Sequence, residues 1–250
     1  MKTQPPLVLS LGGSIVAPPY GPDPRFLRSL IRLLQRLTRR GRRFVLVVGG
    51  GAPARTYMAA ARAVRKTADV EALDRLGIAA TRLNARLLVA ALGRLAEPDI
   101  VLDPTARLVF RRPVLVAGGW KPGRSTDDIA VRLARRLGAE TVLNLSNVAW
   151  VYDADPRRHP DAQPIKAMTW PEFQQRFAGP WSPGLNAPFD PVAARAAARE
   201  RLRVIVADGR DLKNLAALLA GRRAKGTVIG GAPLAQPAVG AALHKRGGLG

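Results

Sequence analysis

LVLSLGGSIV (residues 7–16) and FVLVVGGGAPAR (residues 44–55) are the two stretches that decide the fold. Each begins as an apolar run of strand length, and each run stops on consecutive glycines. The second run has no polar alternation at all, which predicts a strand buried on both faces, the habit of parallel strands covered by helices. Glycine at the carboxyl end of such a strand lets the backbone turn at once and approach a ligand closely.

Working outward, Leu27, Leu30, Ile31, Leu34 and Leu37 fall on one helical face, and Gly41 closes that helix. A helix follows Gly49-Gly50-Gly51, with Pro53 tolerated in its first turn. Val70 to about Leu95 reads as a longer helix. Ile100–Leu102, Leu108–Phe110 and Val114–Ala117 read as strands, and Gly118-Gly119 opens a loop. Thr126–Leu137 is helical in pattern and Thr141–Leu145 is a strand. Tyr152–Thr169 is polar and Pro-rich, a loop or hairpin, and Gly179–Pro188 is irregular. Pro191–Glu200 reads as helix, Arg203–Ala207 as strand, Lys213–Ala220 as helix and Thr227–Ile229 as an edge strand. This alternation predicts an α/β protein, a three-layer α/β/α sandwich with a mostly parallel central sheet. No repeat or linker interrupts it. Residues 1–230 are therefore expected to form a single domain with two lobes, about 1–140 and about 141–230, with 231–250 a loose Gly/Ala/Pro tail.

Composition narrows the chemistry. The 250 residues are 47% hydrophobic and 23% charged, an ordinary globular balance. There is no cysteine, which excludes disulfides, thiolate metal sites and a cysteine nucleophile. His159 and His244 are the only histidines, leaving little room for a histidine metal site or a Ser-His-Asp triad. No apolar run approaches the roughly 20 residues of a membrane helix, and Met1–Leu11 lacks the pattern of an export signal. The expected place is the cytoplasm, with no membrane partner. The net charge of +22 suits anionic ligands. Its arginines are scattered and carry no aromatic interleaving, so nucleic acid is not an expected partner.

Three glycine turns end strands on one side of the predicted sheet: Gly12-Gly13-Ser14, Gly49-Gly50-Gly51 and Gly118-Gly119. Amides ahead of a helix N-terminus point at an anion, so three such loops suit ligands carrying several phosphates. A glycine after a strand is also simply a tight turn. Neither the Walker A pattern nor G-x-G-x-x-G is present. Arg55 lies one helical turn beyond the triple glycine and can fold back onto an anion, or stand as a solvated charge. Ser125 or Thr126 can cap the helix after Gly119 or bond a phosphate, with Lys121 and Arg124 beside them. Asp190 precedes Pro191 as a helix cap, or orients groups in phosphoryl transfer.

The segments LVLSLGGSIV, VLVVGGGAPARTY, LDRLGIAATRLNARLLVAAL, GGWKPGRSTDDIA, LNLSNVAWVYDADPRRHPDAQPI, FDPVAARAAARERLRVIVADGRDL and GTVIG run in order from Leu7 to Ile229. Together they resemble the amino acid kinase family, and within it the archaeal type of uridylate kinase. The resemblance implies transfer of the γ-phosphate of ATP, with Mg²⁺, onto UMP. It implies an acceptor side at about 1–140, with Gly50, Gly51 and Arg55 on the UMP phosphate, Asp74 on the ribose, and Gly119 and Thr126 by the acceptor. It implies an ATP side at about 141–230, with Gly12, Gly13 and Ser14 on the ATP phosphates and Asn147, Tyr152, Asp155 and Pro156 by the nucleoside. Asp190 and Gly13 would be catalytic, with no resident protein-bound metal. A homo-oligomer, often a hexamer, or assembly with a paralogous subunit is implied as well.

The chain departs from that pattern at several points. Ser10 stands where many members have a phosphate-binding lysine, and Ala52 where some archaeal members have one. Lys121, Lys166 or an arginine would have to substitute. Ala149 and Trp150 replace an Asp and a Gly, and Trp120-Lys121 replace a Thr-His pair. Three further readings stay open: a molybdenum- or tungsten-storage-like oxyanion binder on the same fold, a kinase of another small phosphorylated or carboxylated acceptor, and a pseudo-enzyme that senses nucleotides.

Overall fold

Leu7–Leu11 (β1) leads into a single turn, Gly13–Val16 (α1), and then Pro24–Thr38 (α2). Phe44–Val48 (β2), Gly51–Val64 (α3) and Val70–Leu92 (α4) follow, α4 running into a 3₁₀ turn at Gly93–Leu95. Val114–Ala117 (β3), Thr126–Arg136 (α5) and Thr141–Ser146 (β4) complete the first half. Val151–Tyr152 (β5), Pro164–Ile165 (β6), Ala167–Met168 (β7) and Trp170–Arg176 (α6) form a small excursion. Pro191–Arg199 (α7), Arg203–Asp208 (β8), Leu212–Leu219 (α8) and Thr227–Ile229 (β9) end the order. This is a computed structural model, and it describes residues 4–154, 159–177 and 188–235. The expected irregular stretch at 179–188 lies almost wholly outside those residues, as do Asp155, Pro156 and the tail from 236 onward.

The main sheet has seven strands in the order β3-β2-β1-β4-β8-β9-β7. The first five are mutually parallel, and β9 runs antiparallel to β8. Alternate residues of each strand feed two cores. Val8, Val45, Leu115, Val142 and Val204 pack under α5, α6 and α7. Leu9, Leu46, Val116, Leu143 and Ile205 pack under α2, α4 and α8. These are the three layers of an α/β/α sandwich with a mostly parallel sheet.

Helices α2, α4, α5, α6, α7 and α8 begin where side chains satisfy the free amides. Asp23 accepts from the Arg25 and Phe26 amides at 2.9 and 3.2 Å, and Pro24 fixes the first φ of α2. Leu27, Leu30, Leu33 and Leu34 are buried from α2. Each such leucine contributes roughly 1.5–3 kcal/mol. The short α6 escapes a reading by apolar period, yet it carries a capping box in which Thr169 and Glu172 bond each other's backbone amides.

Three sequence expectations change. Residues 100–102 and 108–110 do not form strands. Only single bridges, Ala96 to Val114 and Val101 to Ala117, touch β3 there. The buried Glu97 carboxylate takes the Arg111 and Arg112 amides, donors that a strand ladder would need. Thr227–Ile229 is not an edge, because β7 pairs with its outer side. Finally, Val70–Leu95 is long and apolar enough to cross a membrane by length and composition. Scanning for uninterrupted apolar runs misses it because Arg82 and Arg86 break the run. Its buried Asp74, Thr81 and Asn84 mark it instead as a helix packed against its own protein.

Candidate active site

The glycine turns after β1 and β2 meet backbone to backbone. A Cβ placed on Gly13 would lie 1.9 Å from the Gly51 nitrogen, and one on Gly49 would lie 2.5 Å from the Gly13 nitrogen. Gly51 itself has φ +67°, with its would-be Cβ 2.4 Å from the Gly13 carbonyl oxygen. No side chain fits between the loops, so the sequence requires glycine for both contact and conformation. The register explains the meeting: β1 and β2 are parallel neighbours, with Leu11 opposite Val48, so both turns leave the sheet at one level. The N-terminus of α3 has no side-chain cap and no acidic residue in its first turn. Such an end favours an anion through its amides and its dipole.

Other loops join this edge. The Gly12 amide donates to the Leu145 carbonyl at 2.7 Å, placing the end of β4 beside the first glycine turn. The Gly209 amide donates to the Ser146 carbonyl at 2.8 Å, and Arg210 donates to the Ser14 carbonyl at 2.9 Å. The loops after β1, β4 and β8 are therefore contiguous. Asn147 is exposed at the start of the β4–β5 connection, and Tyr152 is half-buried in β5.

One helix holds two of the loops. Asn84 of α4 donates from Nδ2 to the Gly49 and Gly50 carbonyls at 2.8 and 3.0 Å. One turn earlier, the Thr81 hydroxyl accepts from the Gly119 amide at 2.6 Å. Arg82 donates to the Gly119 and Trp120 carbonyls at 3.0 and 2.8 Å. Asp74, near the start of α4, accepts from the Gly123 amide at 2.7 Å. Burial pushes the Asp74 carboxyl above the usual range, and that amide partly opposes the shift. Sequence reasoning missed Thr81, Arg82 and Asn84. The available signal was polar residues on the sheet-facing side of an apolar helix. The Lys121 ammonium lies 4.2 Å over the Trp120 ring, and Arg132 flanks the same ring at 5.4 Å. Arg55 is exposed and has no partner among the described residues.

A carboxylate cluster lies on the α5/α7 side of β1. Ser10 and Asn144 are register partners on adjacent strands, both buried. Asn144 donates to the Pro188 carbonyl at 2.8 Å, holding the segment just before Asp190. The Ser10 hydroxyl donates to the Asp127 carboxylate at 2.9 Å, and the Asp190 amide donates to its other oxygen at 3.1 Å. Asp190 caps α7 by accepting from the Ala193 amide at 2.6 Å. Asp127 as a whole residue keeps some exposure, but its carboxyl is enclosed. Desolvation and the neighbouring Asp190 charge push it up to about 6, against the Asp190 amide and the Ser10 hydroxyl. Asp190 is also raised, by burial first and by the Asp128 charge last, with amide and Ser125 hydrogen bonds opposing. Thr126 opens α5 next to this cluster, and Ser125 caps that helix. Of the residues expected at the site, Gly12, Gly13, Ser14, Gly50 and Gly51 come together. Asp190 joins Asp127 beside β1, while Asp74, Gly119 and Thr126 border the loop held by α4. Asp127 and Ser10 were missed as a pair because nothing in their spacing links them.

Residues 5–208 match the amino acid kinase family. A uridylate kinase of Methanospirillum hungatei is 40% identical over 228 residues, which is 90% of this chain and 94% of that protein. One from Methanoregula boonei is 37% identical, over 88% of this chain and 92% of its own length. The crystal structure of uridylate kinase from Archaeoglobus fulgidus superposes with a TM-score of 0.75 at 30% identity, covering 90% of this chain and 99% of that one. With nearly its whole length matched in sequence and in fold, the chain belongs to the amino acid kinase family.

Proposed function

We propose that this chain is an ATP-dependent uridylate kinase, which moves the γ-phosphoryl group of ATP onto the phosphate of UMP to give UDP and ADP. The observation that carries it is the backbone contact of the glycine turns after β1 and β2, Gly13 against Gly51. That contact brings two glycine turns and their amides to one sheet edge, where two phosphorylated ligands can face each other. In phosphoryl transfer a phosphate oxygen of UMP attacks the γ-phosphorus while the bond to the ADP oxygen breaks. The protein's part is positioning and charge neutralisation rather than bond chemistry of its own.

In this reading Gly50, Gly51, Arg55, Asp74, Gly119 and Thr126 hold the acceptor, with Arg55 as a bidentate clamp on its phosphate. Gly12, Gly13 and Ser14 cradle the ATP phosphates, and Asn147 and Tyr152 border its nucleoside, as would Asp155 and Pro156. Asp190 holds the α7 end and, with Asp127, shapes the charge below the transferred group. Arg210, bonded to the Ser14 carbonyl at 2.9 Å, brings a cation to the turn after β1. Mg²⁺ would arrive on the nucleotide. No group of three His, Asp or Glu that could hold a metal occurs among the described residues, and Mg²⁺ is commonly bound through substrate phosphates and retained waters. The same reading divides residues 1–230 into an acceptor side and an ATP side about residue 140. It also makes the protein a cytoplasmic homo-oligomer.

Coupled measurement of ADP release with UMP, CMP, AMP or no acceptor tests the proposal. UMP-dependent turnover well above the other acceptors is expected. No turnover with UMP at high enzyme concentration would remove it.

A further inference from the structure

The carboxylates beside β1 are short of positive charge. Asp190 is 6% exposed, and its Oδ2 is buried with no hydrogen-bond partner among the described residues. Asp128 is 1% exposed. Its Oδ2 lies 2.8 Å from Arg132 Nε and 3.7 Å from an Arg124 guanidinium nitrogen, while its Oδ1 is buried and unpartnered. Those two arginines are the only ion-pair partners of the cluster among the described residues, and both serve Asp128. Asp127 and Asp190 have none.

An enclosed carboxylate without a countercharge costs several kcal/mol. A proton is one remedy. It suits Asp127 poorly, because both of that group's oxygens already accept hydrogen bonds, from Ser10 and from the Asp190 amide. The Asp190 Oδ1 is likewise taken by the Ala193 amide, leaving Oδ2 free. The remaining lone pairs are all oxygen, the ligand type of hard cations. A divalent ion needs a closer set of acidic ligands than the described residues provide. Loosely held carboxylate and hydroxyl oxygens instead suit a singly charged ion, which gives up its hydration shell more readily.

We propose that the space between Asp127 and Asp190 binds a monovalent cation of the potassium or sodium type. Its ligands are Asp190 Oδ2, the Asp127 carboxylate and the Ser10 hydroxyl oxygen. The ion links the end of β1 to the starts of α5 and α7, and it neutralises the floor of the site before any nucleotide arrives.

Thermal unfolding of the full chain without nucleotide tests this. Samples at pH 7.5 carry potassium, sodium or choline chloride at equal ionic strength, with a separate magnesium arm. Potassium or sodium should raise Tm saturably over choline, by about 1–2 °C for a site half-filled at 0.1 M. Asp190→Asn should abolish the response. Ser10→Lys, whose ammonium reaches the same carboxylates, should raise Tm in choline and also remove the response, so the test survives if the Asp190 variant fails to fold. Equal Tm in all three salts overturns the proposal. So does an undiminished response in both variants, or a saturable rise with magnesium alone. Because the readout is thermal, these results are independent of whether UMP is the acceptor.

Discussion

Ser10 and Asp127, 117 positions apart, share a 2.9 Å hydrogen bond that ties the middle of the sheet to the first turn of α5. The bond holds an enclosed carboxylate in place at the edge where the glycine turns meet. Ser10→Ala should lower stability by about 1 kcal/mol, the usual net worth of such a bond. It should also move the Asp127 titration above about 6, since the hydroxyl is one of the groups holding it down. Urea unfolding and carboxyl-selective NMR check both.

Asp127 makes stability depend on pH in a direction opposite to most carboxylates. Its folded pKa, about 6, lies above its ordinary 3.8, so between those values the folded state holds more proton than the unfolded one. Its contribution is complete below pH 3.8 and is lost as pH rises through 6. The loss is on the order of 2–3 kcal/mol. The raised Asp190 and Asp74 act with the same sign. Asp127→Asn should therefore flatten the stability profile between pH 4 and 6, measured in choline salts. A profile as steep as the parent's would contradict this.

Gly13→Ala places a methyl group 1.9 Å from the Gly51 nitrogen. Backbone cannot swing aside as a side chain can, so the two turns must separate. Overpacking of this kind costs roughly 1–3 kcal/mol. Binding of ATP and of UMP should weaken together, because one contact sets both loops. Calorimetric titration of each nucleotide measures it; loss of only one would argue that the loops move independently.

Arg55 stands exposed and unpaired among the described residues, so Arg55→Gln should leave stability within about 0.5 kcal/mol. If it clamps the UMP phosphate, losing a charged hydrogen bond of about 1.5–3 kcal/mol should raise KM for UMP roughly 10- to 100-fold. KM for ATP should change little. Steady-state kinetics separates the two.

Arg82→Ala leaves the Gly119 and Trp120 carbonyls without their donor. Unmade bonds of this sort cost about 1–3 kcal/mol, and the loop around Trp120 should loosen. Faster amide exchange at residues 119–124 and a weaker acceptor, with ATP affinity preserved, are the expected results.

Much of this could be read from the residues. The unbroken apolar runs at 7–11 and 44–48 marked strands covered on both faces, and their glycines marked the ligand edge. Such features are local, so sequence carries them. Strand readings failed at 100–102 and 108–110; just past the second stretch the Glu97 carboxylate captures the Arg111 and Arg112 amides. Local β pattern has no means of announcing a distant carboxylate. The same limit hid Ser10 with Asp127, and Asn84 with Gly49: each is a polar pair made only when separate elements are stacked. Asp190 was legible as a helix cap; its free Oδ2 was not, since an unfilled bond has no sequence signature.

One turn of α4, from Thr81 to Asn84, grips both the loop after β2 and the loop after β3. A drift in one loop is thereby handed to the other through a single stiff rod. Divergence of acceptor preference along this lineage should consequently proceed by matched changes, with a substitution near Trp120 accompanied by one at 81–84. A solitary replacement in either loop would be resisted by its neighbour's anchor.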